Sequence, residues 1–86
     1  MISKDFIIKN KTGIHARPAS DLCVLSKGFE SSIRILCGSK VVNPRSVVSV
    51  LTGDMSRGKT ITVEIDGADE EKALAALTAF FNELDE

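Results

Sequence analysis

Apolar and polar residues alternate from the start of the chain. In "ISKDFIIK" Phe6 and Ile8 fall on one side and Asp5, Ile7 and Lys9 on the other, the period of a half-buried strand. "NKTG", at 10–13, reads as a turn. The period then lengthens. Pro18 suits the first turn of a helix, where its missing N–H would have no intrahelical partner. Ala19, Leu22, Cys23 and Ser26 share one helical face, and Gly28 supplies a stop. Alternation returns in "SSIRILC", with Ile33, Ile35 and Cys37 set against Arg34 and Leu36. "GS" at 38–39 is a two-residue hairpin turn, and "KVVN" comes back as a short strand. "TITVEID" alternates most clearly, with Ile61, Val63 and Ile65 inward. The last segment, "DEEKALAALTAFFNEL", is an amphipathic helix. Asp69, Glu70 and Glu71 put negative charge at its positive end, and Leu74, Leu77, Phe81 and Leu84 form its apolar stripe, with Ala73 and Phe80 at the margins.

One stretch does not declare itself. "SVVSVL", 46–51, is β-branched enough for a strand. Yet Pro44 blocks continuation of the strand before it, and Ser46 is a good N-cap for a turn or two of helix. If it is helical, the order is βαββαβα. Four strands then form an antiparallel sheet with all three helices on one face, an α+β fold whose other face meets solvent.

Composition narrows the function classes. A chain of 86 residues makes one domain, 1–86, with a single core and little room for an enclosed cleft. A net charge of −1 argues against nucleic acid, which requires a concentrated basic face. The N-terminal stretch has charges among its apolar residues and resembles neither a signal peptide nor a membrane anchor, so a cytoplasmic protein without membrane insertion is expected. Cys23 and Cys37 with one histidine cannot make a four-ligand zinc site, and they read as reduced, packed thiols. No metal and no cofactor is expected.

The chemistry concentrates in "GIHARPA", 13–19, which holds the chain's one histidine. If a helix begins at Ala16 or Arg17, His15 stands at its N-terminal boundary. There the first-turn N–H groups lack partners and the dipole is positive, which makes an anion site. Arg17 adds a forked cation. Positive surroundings keep an imidazole neutral, and a neutral imidazole is a nucleophile that could take up a phosphoryl group. On residue type alone, a lone histidine at a helix boundary reads as a capping or exposed residue.

The heptad resembles the active-site motif of HPr, the histidine-containing phosphocarrier family of the bacterial phosphoenolpyruvate-dependent sugar phosphotransferase system. The likeness continues through "GSKVVN", "RSVVSVL" and "DGADEEKALAAL". It implies an open-faced β-sandwich, and it makes 46–51 a short helix. It also implies a monomeric carrier, not an enzyme, whose His15 accepts a phosphoryl group on Nδ1 from enzyme I and passes it to IIA components of sugar permeases. Ala16 and Arg17 would hold the phosphate, and Val47, Val48 and Leu51 would form a docking surface. Ser46 matches the serine that an HPr kinase/phosphorylase modifies in low-GC Gram-positive members, which then recruit a transcriptional regulator. Where the family commonly has methionine then glycine, this chain has Val48 and Ser49, and Pro44 is unusual. The resemblance therefore carries the histidine chemistry further than the serine regulation. The rival reading is a regulatory relative acting by protein binding in carbon or nitrogen control; such relatives typically lack the histidine that this chain keeps.

Overall fold

The computed structural model describes residues 1–9, 14 and 16–84. The chain runs β1 (Ile2–Ile7), α1 (Ala16–Lys27), β2 (Ser32–Cys37), β3 (Lys40–Val42), α2 (Val47–Leu51), β4 (Thr60–Asp66) and α3 (Glu70–Glu83). The four strands form one antiparallel sheet in the order β1-β4-β2-β3. This is the α+β arrangement that the alternation predicts. The turn expected at 10–13 lies outside the described residues.

Register explains which residues make the core. Phe6 faces Ile61, and Ile35 faces Val63 across the sheet, so one parity of every strand points to the same side. Ile33, Ile35, Cys37, Val42, Ile61, Val63 and Ile65 are all buried there, together with Leu22 of α1 and Leu77 of α3. β4 is paired on both sides, so Ile61, Val63 and Ile65 are fully enclosed. Each such burial is worth about 1.5–3 kcal/mol. The other parity presents Asp5, Arg34, Thr62 and Glu64; Arg34 bridges to its cross-strand neighbour Glu64 at 2.5 Å. Ile7 is also on that open side and 55% exposed. Lys4 has the core-facing parity on edge strand β1, and its ammonium lies 5.4 Å from the centroid of the Phe6 ring. An inward charge of this kind discourages edge-to-edge pairing.

The helices follow their apolar spacing. α1 buries Pro18, Ala19, Leu22, Cys23 and Ser26, the expected face plus the proline. Its last turn closes as the Gly28 N–H donates to the Leu25 carbonyl. In α3 the buried line is Ala73, Leu77 and Phe81, with Leu74, Phe80 and Leu84 half-buried beside it. Leu77 and Phe81 of the expected stripe are thus at its centre, while Ala73, expected at the margin, takes the place of Leu74 and Leu84. A small residue on the line of closest approach lets the helix seat deeply, and the larger Leu74 packs to the side. Phe81 then stacks on Phe6, with ring centroids 5.0 Å apart.

Within 46–51, Val47–Leu51 is helical and Ser46 caps it. Its β-branched residues are overruled by a local polar network. The Asn43 N–H donates to Ser49 Oγ, the Ser49 N–H donates to Ser46 Oγ at 3.2 Å, and the Arg45 N–H donates to Asn43 Oδ1. Val50 alone of α2 is buried. Gly53 follows so tightly packed that a Cβ there would run into the Val42 side chain.

Candidate functional site

α1 begins at Ala16. His15 lies outside the described residues, but the chain on either side of it is fixed. Ile14 is buried, and its N–H donates to the carbonyl of buried Met55 at 2.9 Å. On the far side Ala16 and Arg17 are exposed while Pro18 is buried. The N–H groups of Ala16 and Arg17 belong to the first turn, whose donors have no acceptor within the helix. The two long helices differ in what they place at this end. α3 carries Glu70 and Glu71 in its first turn, which offset its dipole; α1 carries no acid in its first turn and carries Arg17 instead. The start of α1 therefore attracts an anion, and the only imidazole in the sequence is one residue away.

Ser46 is the N-cap of α2, with extended backbone angles and half-buried. The three candidate docking residues are not equivalent. Val48 is 71% and Leu51 45% exposed, whereas Val47 is half-buried against the core. α2 packs on α1, and the polar ties between them run to the C-terminal half of α1. The Cys23 thiol donates to the Arg45 carbonyl at 3.1 Å. The Arg45 guanidinium donates to the carbonyls of Ser26 (3.1 Å), Phe29 (2.6 Å) and Ser31 (2.8 Å). Ser26 is nine residues beyond Arg17, about 13 Å along a helix. The Arg45 side chain thus reaches the end of α1 away from Arg17, while its carbonyl lies beside Cys23 at mid-helix.

Two polar residues act here in ways the sequence does not signal: Arg45, and Asp69, which is expected only to load the start of α3 with negative charge. The Asp69 carboxylate does not cap its own helix. It accepts from the Ser31 hydroxyl and from the N–H groups of Glu30 and Ser31, both 2.9 Å. These bonds, the Ser31 hydroxyl foremost and then the Glu30 N–H, hold its carboxyl at about 2, below the ordinary 3.8. Arg45 and Asp69 both grip the 26–31 turn, one by its carbonyls and the other by its amides. Neither carries a local signal, because each acts across a long separation in sequence.

Cys23 and Cys37 are free thiols and buried, as their apolar settings imply. Among the described residues no cluster of His, Cys, Asp or Glu could hold a metal ion, and no helix is long and apolar enough to cross a membrane.

Comparison with known families decides what this framework belongs to. The family model described as "PTS HPr component phosphorylation site" matches residues 2–83. The chain belongs to the HPr family. The phosphocarrier protein HPr of Mycoplasma genitalium is 40% identical over 74 residues, 85% of this chain and 84% of that one. The phosphocarrier protein NPr of Escherichia coli K12 is 41% identical over 76 residues, 87% and 84% of the two chains. The crystal structure of HPr-C-His from Thermoanaerobacter tengcongensis superposes with a TM-score of 0.90 at 34% identity, covering 95% of this chain and 92% of that one. The four-stranded sheet with three helices is therefore the HPr fold, and HPr membership supports a phosphocarrier role within the phosphotransferase system.

Proposed function

We propose that His15 takes a phosphoryl group from phosphorylated enzyme I and passes it to IIA components of sugar permeases. The observation that carries this reading is the uncompensated, Arg17-bearing start of α1 directly after the sole histidine. The lone pair on Nδ1 forms the new N–P bond as the bond from phosphorus to the donor breaks, its electrons leaving with the donor, and the other ring nitrogen keeps its proton. The phosphate oxygens fall to the Arg17 guanidinium and the first-turn N–H groups of Ala16 and Arg17. Delivery reverses these steps on the acceptor. The protein acts as a cytoplasmic carrier and not as an enzyme, since the partner at each end supplies the catalytic surroundings. Val48 and Leu51, with Val47 behind them, offer those partners an apolar contact. Ser46 is the candidate for regulatory phosphorylation by an HPr kinase/phosphorylase, because a phosphate at an N-cap adds charge beside a positive helix end.

The test is incubation with enzyme I, Mg²⁺ and phosphoenolpyruvate, followed by intact mass. One acid-labile, alkali-stable phosphate is expected, absent in a folded His15→Ala variant. Equal labelling of that variant would remove His15 as the acceptor.

A further inference from the structure

The Arg45 guanidinium donates to three carbonyls at the exit of α1, one of which, Ser26 O, also accepts the Phe29 N–H. Ser26 O lies in the last turn of α1, and Phe29 O and Ser31 O lie in the turn that follows. A cation at a helix C-terminus is favourable in itself, and a planar fork can serve several carbonyls where an ammonium serves one point. The Arg45 backbone is fixed as well: its N–H donates to Asn43 Oδ1, and its carbonyl accepts the Cys23 thiol. The next residue is the N-cap of α2. So the entry to α2 is tied to the exit of α1 by the Arg45 side chain, with the Cys23 thiol holding the Arg45 backbone from mid-helix. α2 itself has five residues and fully buries only Val50, with Val47 half-buried against the core, so it draws little of its hold from apolar packing.

We propose that Arg45 is the positioning residue of the partner-facing surface: it sets α2, and with it the exposed Val48 and Leu51, at a fixed offset from α1. This rests on the reading above, in which a partner covers α2 while it reaches the start of α1. A loose α2 would have to be ordered on each docking event, a cost that falls on binding and not on the chemistry at His15.

The experiment compares wild type with Arg45→Met, which keeps the stem and loses the donors, and with Arg45→Lys, which keeps one charged donor. Below the unfolding transition, the KM of enzyme I for Arg45→Met should rise roughly three- to tenfold, the cost of ordering one or two side chains. The kcat and the acid hydrolysis rate of the phosphorylated protein should stay as in wild type, and Arg45→Lys should fall between. Amide exchange gives the arm that needs no enzyme. The Val50 and Thr52 N–H groups, bonded to the Ser46 and Val48 carbonyls, should exchange faster in Arg45→Met while the amides of β4 do not. If Arg45→Met does not fold, Arg45→Lys supplies both readouts. Unchanged exchange at Val50 and Thr52 overturns the positioning role. Faster exchange with an unchanged KM overturns its link to docking. Wild-type protein that enzyme I fails to label overturns the functional reading and the docking link together, and exchange alone then decides whether Arg45 sets α2.

Discussion

At the scale of the residue, two side chains carry charge arguments that experiment can separate. Arg17 stands in the first turn of a helix that carries no acid of its own in that turn. Replacing it with lysine keeps the charge but loses the fork, and replacing it with glutamate sets a like charge against the incoming phosphate. Stopped-flow transfer from enzyme I should therefore rank Arg above Lys above Glu. Removing a group that contacts transition-state charge costs about 10²-fold or more, so the Glu variant should lie at least that far down. Equal rates would remove Arg17 from the phosphate site. Asp69 acts on stability. Its carboxyl is at about 2 in the folded protein against an ordinary 3.8, so its contribution is complete above pH 3.8 and fades as the pH falls toward 2. Glu70, lowered mainly by the Gly67 N–H, adds the same sign. The thermal midpoint of wild type should fall more steeply from pH 4 to pH 2 than that of Asp69→Asn, which keeps an acceptor but cannot titrate. Parallel curves would mean that the Ser31 and Glu30 contacts do not favour the charged form.

At the scale of the element, periodicity carried most of the fold. The four strands, the face of α1 and the hairpin at 38–39 follow from spacing alone, because each buries one parity or one stripe. α2 did not, since its β-branched residues and its capping serine point in opposite directions, and it is the side-chain network of Asn43, Ser46 and Ser49 that chooses between them. In α3 Leu77 and Phe81 are buried as expected, but Ala73 and not Leu74 completes the line, because pattern weighs Leu above Ala whereas packing favours the small residue there. The candidate site was legible as a motif, and the clamps by Arg45 and Asp69 were not, because their partners lie 14 to 39 residues away. Gly53 gives this scale its test. A methyl group there meets enclosed Val42, a β-branched residue with little room to turn, and the carbonyl of Ser49 at 3.3 Å. Gly53→Ala should lower stability by about 1–3 kcal/mol in urea titration, as overpacking does, although alanine is the better helix former. A neutral or stabilising result would show that the α2–β3 junction yields.

At the scale of the whole molecule, what the order β1-β4-β2-β3 governs is time. Only β2 and β3 are neighbours both in the chain and in the sheet. β1 finds its partner in β4, where Ile2 faces Ile65 and Ile7 faces Thr60. On a ribosome, β1 must therefore wait for β4, with its apolar side uncovered while the intervening residues are added. Pairings of such long sequence separation also slow folding, because loop closure comes before any reward. A chain released at residue 59 should show no cooperative unfolding transition by circular dichroism, while the full chain unfolds in one step. A cooperative fragment would mean that β2, β3 and the first two helices can nucleate a core without β4. Otherwise folding begins only once β4 has been made, and until then the apolar side of Phe6 and Ile8 stands open to any other apolar surface the chain meets.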